Sequence, residues 1–273
     1  MPIDLELEAA GRTAAARAIF ARLDSEGHVN LPILTGADLC LLGGPRHPFC
    51  WEPLAAAWLS LAAQDRDGHI RARTRRMVED GRLAETGVGD GGALGARYAV
   101  SPELGILLAA RNRPTFVITS HFSARQAPLS LFAVGDEAEP VRGVVMAVPV
   151  TPAVRAGAGV DPSPIAGVFD HLLTTPARAA EFLADRVIRP APADSEFQER
   201  PHRLVTLFRS CDVLRPAARL SVLGNGSTAR VTGAGLSGEF DREMLRTVLL
   251  RLFDQGRPRT LSGDSPHLAA CLV

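Results

Sequence analysis

The chain reads as an α+β protein, a pseudo-twofold arrangement of two three-stranded antiparallel units flanked by helices. Three observations predict this. Apolar residues recur at helical spacing up to Arg113 and alternate from Thr115 onward. The order Arg113-Pro114, strand, Leu129-Ser130-Leu131, turn, strand returns as Arg200-Pro201, strand, Leu220-Ser221-Val222, turn, strand. Each run follows a helix opened by Ser101-Pro102 or Thr175-Pro176. The repeat predicts a single globular domain over residues 1–273, with related halves over about 35–150 and 151–255 and an N-terminal helix over 4–23.

The elements follow in order. Leu7, Ala10, Ala14, Ala18 and Phe20 to Leu23 give the N-terminal helix its spacing. A short helix follows Thr35 over 36–42, stopped by Gly43-Gly44-Pro45. Helices over 51–63 and 68–85 come next, then a glycine-rich loop and a short strand over 98–100. Ser101 supplies an N-cap oxygen and Pro102 a fixed φ for a helix carrying Leu104, Leu107 and Leu108, which Arg113-Pro114 stops. Strands are expected over 115–122, 129–134 and 141–148, the last two as a hairpin. Ile165, Val168, Phe169, Leu172 and Leu173 fit a helical stripe, and Thr175-Pro176 opens another helix to about Val187. In the second β run, 203–210 is a strand, and 219–223 pairs with 228–232 across Asn225-Gly226, a strong hairpin signal. A last helix over 239–253 presents Phe240, Met244, Leu245, Val248, Leu249 and Leu252.

Composition bounds the function. With 46% apolar and 22% charged residues the chain has the makeup of a folded domain. All 30 basic residues are arginine, balanced by 30 acidic ones. The absence of lysine excludes Schiff-base chemistry, the usual P-loop NTPases, protein kinases and Ser-Lys hydrolases. An acidic N-terminus unlike a secretory signal, four cysteines (Cys40, Cys50, Cys211, Cys271) and apolar runs too short to span a bilayer predict a cytoplasmic protein outside the membrane.

No motif carries chemistry by itself. Gly87-Val-Gly-Asp-Gly-Gly92 satisfies G-x-G-x-x-G, but it follows a helix and precedes a strand, the reverse of a dinucleotide site. Cys40, His47 and Cys50 offer three metal ligands without a C-x-x-C pair, so the expectation is no metal, no nucleotide and no other cofactor. His121, His171 and the acidic cluster Asp136, Glu137 and Glu139 read as structural or solvated, and no catalytic residue is assigned. Arg71, Arg73, Arg75 and Arg76 on the 68–85 helix, ahead of the glycine-rich loop, have the outline of a winged-helix DNA-binding regulator. Zero net charge argues against nucleic acid as the partner. The strand over 141–148 is apolar on both faces and needs cover on both sides. Phe132, Val144 and Met146 are therefore candidates for a face turned to another protein with an exposed hydrophobic segment; the alternative is that the helices over 165–173 and 239–253 cover them.

A resemblance sharpens this reading. Arg71, Arg73 and Arg76 precede Met77-Val78 and Gly81-Arg82-Leu83, and a glycine-rich break follows. Then come Ser101-Pro102-Glu103-Leu104, Leu107-Leu108-Ala109-Ala110-Arg111 and Arg113-Pro114, leading into a strand. This resembles the EspG family of ESX (type VII) secretion-associated chaperones, and the order of elements is similar over 35–253. The resemblance implies a pseudo-twofold α+β fold and a cytosolic chaperone that holds an aggregation-prone secretion substrate by hydrophobic contact. That family has no catalytic signature, so the resemblance assigns no functional residue. The expected function is a non-catalytic binding protein; a winged-helix regulator using helix 68–85 and an enzyme with a site assembled from distant segments are the alternatives.

Overall fold

A computed structural model describes residues 4–6, 9–88, 96–121, 127–134, 141–150, 163–190, 203–209 and 212–256. The acidic cluster at 136–139, residues 89–92 of the glycine motif, most of the 150–164 linker, Cys211, Cys271 and the apolar tail lie outside the described residues. The architecture is α+β, with seven α-helices and predominantly antiparallel strands among the described residues. No helix is long and apolar enough to cross a membrane.

The chain divides into two compact units, each built from separated segments. The first comprises Met1–Arg113, Ala124–Leu129 and Val145–Thr174; the second Pro114–Ser123, Ser130–Val144 and Thr175–Val273.

The first unit opens with strand β1 (Asp4–Glu6) and helix α1 (Ala9–Glu26), where a helix over 4–23 was expected. Strand β2 (His28–Thr35) follows, with Pro32 inside it. Proline removes a ladder donor, and β2 accommodates it at the edge of its sheet. Helices α2 (Gly36–Gly43), α3 (Glu52–Ser60) and α4 (Ala63–Glu79) come next. Helix α2 begins on a capping box: Asp38 N–H donates to Thr35 Oγ1 at 3.3 Å, and Thr35 N–H donates to Asp38 Oδ2 at 2.8 Å. Helix α4 stops six residues before the predicted end. Gly81, at φ +69°, lets Arg82 N–H donate to Met77 O at 2.8 Å and Gly81 N–H to Val78 O at 3.0 Å, a Schellman closure. Residues 83–85, expected as helix, and 86–88, expected as the start of a glycine-rich loop, are instead strand β3 (Leu83–Val88), paired with β4 (Ala96–Val100) in the order β1-β4-β3. Helix α5 (Pro102–Asn112) is capped by Ser101 as its sequence predicts, with Leu104 N–H donating to the hydroxyl.

Residues 165–173 correct the expected helix. A 3-10 turn over Pro164–Ala166 leads into strand β8 (Val168–Thr174), which runs antiparallel to β2 with Val29 opposite Leu173 and Leu31 opposite His171. Phe169, His171 and Leu173 alternate inward while Asp170 faces out, so period two competes with the helical stripe and the ladder to β2 decides. Strand β7 (Gly143–Val150) neighbours β8; its first two residues belong to the second unit. The core of this unit gathers Leu23, Leu34, Leu41, Leu54, Met77, Leu104 and Leu107.

The second unit orders its strands β12-β11-β10-β9-β5-β6: β5 (Phe116–His121), β6 (Leu129–Val134), β9 (Arg203–Arg209), β10 (Asp212–Gly224), β11 (Thr228–Gly233) and β12 (Leu236–Asp241). Strands β5 and β9 pair antiparallel, with Ile118 opposite Leu207. Helices α6 (Pro176–Val187) and α7 (Arg242–Gly256) pack together against this sheet, and Phe116 meets Phe253 edge-on at 5.7 Å. Strand β12 takes residues 236–241, so the last helix starts at Arg242 rather than 239, and Phe240 lies in a strand. The Asn225 turn forms as predicted: Asn225 Oδ1 accepts from Ser227 and Thr228 N–H at 2.9 and 2.8 Å.

Candidate functional site

The interface assigned to Phe132, Val144 and Met146 needs correction. Their exposures are 0%, 0% and 2%, so they are core and not a surface turned to a partner. The reason is cover within the fold: a sheet apolar on both faces is covered on both. Exposed large apolar side chains lie elsewhere in the first unit, at Ile33, Leu59, Val78, Val88 and Val150.

Strand β3 is exposed along most of its length. Only Leu83 is buried; Ala84 to Val88 are exposed on both faces of the strand, and Val88 is 84% exposed. In the order β1-β4-β3 it forms the sheet edge, so one row of its backbone groups faces away from the ladder. A β-bulge between Glu85 and Gly87 twists it, and Thr86 Oγ1 donates to Arg97 O at 3.3 Å across the bulge. Arg82, just before β3, donates from Nη1 to Ile33 O at 2.7 Å, which sets the exposed Ile33 beside the start of the strand.

The arginine run on α4 is split by its partners. Asp38 is fully buried and accepts from Arg73 Nε at 2.7 Å and Nη2 at 2.6 Å, so Arg73 neutralises the α2 cap. Arg76 pairs with Asp80 at 3.3 Å. Arg71 and Arg75, one turn apart, remain exposed on the helix.

A second cluster surrounds Arg111 of α5, which is buried. Its charge acts on Cys40, Cys50, His47 and His171, and Cys50 Sγ donates to Trp51 O at 3.9 Å. Burial, and then the Arg111 charge, push His47 down to about 4 and His171 down to about 3. Both rings are thus neutral near pH 7. His171 Nδ1 donates to Pro32 O at 3.0 Å, satisfying a carbonyl that the β2 bulge takes out of the ladder. Its Nε2 is buried and has no hydrogen-bond partner. Among the described residues no group of three or more His, Cys, Asp or Glu is placed to hold a metal ion.

Beside this cluster lies an open cavity of about 490 Å³, lined by Gly43 to His47, Trp58, Leu59, Arg66 and Ile70. Its lining contains no carboxylate, and its one histidine is the depressed His47. In the second unit Arg203 is pushed down to about 10 by burial and by Arg186 and Arg189. His121 is pushed down by burial and by Arg219.

Sequence reasoning missed the β3 edge because the amphipathic pattern of α4 runs on through Leu83; Gly81 was the available signal. It grouped Cys40, His47 and Cys50, read His171 as structural and did not place Arg111 with them; both join the group only through folding. Comparison of the chain with protein-family models, with curated proteins and with solved structures returned no match.

Proposed function

We propose that this chain is a non-catalytic binding protein that takes an extended, hydrophobic segment of another protein as an added strand along β3. The observation that carries this reading is a regular strand exposed on both faces and at its outer edge. An edge of this kind offers main-chain hydrogen bonds for affinity and alternating side-chain positions for specificity. Val88 at the end of β3 and Ile33, whose carbonyl Arg82 binds just before the strand, supply apolar contact. The resemblance of residues 69–117 to the EspG family extends the proposal: the ligand is an aggregation-prone substrate of a type VII-like secretion system, held by a cytosolic chaperone until export.

The test is titration of the protein with synthetic ten-residue peptides, apolar and β-prone against charged and helix-forming, followed by amide exchange. The expected result is binding of the apolar extended peptides alone, with new protection at residues 83–88. Val88→Lys should weaken binding at least tenfold and leave the melting temperature within a degree or two, because the site is exposed. Binding indifferent to Val88→Lys, or protection confined to other strands, overturns the reading.

One observation favours a second reading. Helices α3 and α4 precede the β3–β4 hairpin, and Arg71 and Arg75 are exposed on α4, as a winged-helix regulator requires. Only two of the four arginines are available, since Asp38 and Asp80 engage the others. Duplex DNA binding at low salt that is lost in the Arg71→Ala, Arg75→Ala double variant would establish this alternative.

A further inference from the structure

The open cavity of about 490 Å³ is walled by the end of α2 and the loop after it, by α3 and by α4. Trp58 and Leu59 of α3 and Ile70 of α4 give it apolar surface. Leu59 is 48% exposed, whereas Leu54 and Trp58 of the same helix are buried. Arg46 and Arg66 are the charged side chains of the lining, since His47, pushed down to about 4 mainly by burial, is neutral at pH 7. Arg66 Nη2 donates to Leu59 O at 3.3 Å and to Leu61 O at 2.9 Å, carbonyls at the end of α3. Its Nε is buried and has no hydrogen-bond partner among the described residues. Arg46 is exposed on the loop, which stays close to the helix end because Gly44 N–H donates to Cys40 O at 3.0 Å and His47 N–H to Gly44 O at 3.3 Å. A Cβ added at Gly43 or Gly44 would meet nothing within 4 Å, so the backbone leaves this side open.

We propose that this cavity binds the anion of a small apolar carboxylic acid. The carboxylate accepts from Arg66 Nε, Arg46 adds a second guanidinium from the exposed side, and the apolar body packs on Leu59, Trp58 and Ile70. The volume falls within the range of about 300 to 1,000 Å³ typical of small-molecule sites.

The ligand class follows from the lining. A buried N–H without an acceptor is costly, and a carboxylate oxygen is among the strongest acceptors a guanidinium can take. No carboxylate of the protein lines the cavity to compete for that place, so the two arginines favour an anion and disfavour an amine. The carbonyls ending α3 carry negative partial charge, and Arg66 Nη2 takes up two of them, which also fixes the guanidinium before a ligand arrives. Phosphate would satisfy the arginines but leave Leu59 and Ile70 against water, so an apolar body is part of the requirement. The cavity shares no residue with β3 and stands whether or not that edge takes a strand.

The test is calorimetric titration of the full chain at pH 7 with octanoate, octanamide, octylamine, acetate and inorganic phosphate. Octanoate should bind saturably, and each of the other four should bind about tenfold more weakly or worse, because each lacks the charge or the apolar body. Arg46→Glu should weaken octanoate by about tenfold or more and leave the melting temperature within about a degree or two, since Arg46 is exposed. Methyl NMR of the unsubstituted protein locates the ligand without any variant: octanoate should shift the Leu59 and Ile70 methyl signals. Absence of saturable octanoate binding, equal affinity for octanamide, octylamine or phosphate, indifference to Arg46→Glu, or methyl shifts confined to residues outside the cavity overturns the proposal.

Discussion

At the scale of single residues, the two histidines near Arg111 report on folding. Burial holds His171 at about 3 and His47 at about 4, against an ordinary value of 6.5. Because the folded values lie below the unfolded one, the unfolded chain binds more protons over that window. Their contribution to stability is complete above pH 6.5 and is lost as pH falls towards 4 and then 3, with a slope of up to about 1.4 kcal/mol per pH unit for each histidine. Denaturant titrations between pH 7.5 and 4.5 should show this fall. His171→Asn retains a donor for Pro32 O and removes one titration, so it should roughly halve the slope between pH 6.5 and 5; an unchanged slope would show that other groups govern acid sensitivity. Asp38 and Arg73 illustrate the same scale. One buried carboxylate both caps α2 and requires a guanidinium from α4, which removes Arg73 from any surface role.

At the scale of elements, the β10–β11 hairpin and helix α6 depend on each other. Gly226 N–H, at φ +105°, donates to Ile188 O at 2.9 Å and so satisfies a carbonyl at the helix C-terminus. The preceding Gly224 sits so close that an added Cβ would run into the Ile188 and Val187 carbonyls. Backbone cannot yield as a side-chain tip can. Gly224→Ala should therefore destabilise the protein by about 2 kcal/mol or more, whereas Gly43→Ala, where an added Cβ meets nothing within 4 Å, should change stability by less than about 1 kcal/mol. Urea denaturation of the two variants separates them, and equal effects would remove the close approach as an explanation.

At the scale of the whole molecule, each compact unit is assembled from segments distant in the chain, so protection should follow position in a sheet rather than order in sequence. In the second unit β9 lies between β10 and β5, with buried Val205 and Leu207 at its centre. In the first, β3 is an exposed edge. Native-state hydrogen exchange should find the amides of residues 204–208 among the slowest and those of 84–88 among the fastest. Slow exchange at 84–88 in the isolated protein would mean that the edge is already covered in solution, for instance by a second copy, and the free-edge premise of the proposed function would fail.

What the sequence determined by itself is local. Ser101-Pro102, Thr175-Pro176 and Asn225-Gly226 place caps and a turn through hydrogen bonds spanning three residues or fewer, and the structure has each where it was expected. The α+β class follows from the switch of period near Pro114. Tertiary structure decided the rest. Residues 168–174 fit both periods, and only pairing with β2, more than a hundred residues earlier, makes them a strand. Phe132, Val144 and Met146 fit a partner face or a core equally well in sequence, and cover by the rest of the chain makes them core. Cys40 and Cys50 are visible as neighbours in the sequence, but Arg111 and His171 join them only when α5 packs on α2 and β8 pairs with β2. The physical reason is range: caps and turns are satisfied within one turn of chain, whereas sheet order, burial and the field of a buried charge depend on segments that meet only in the folded protein.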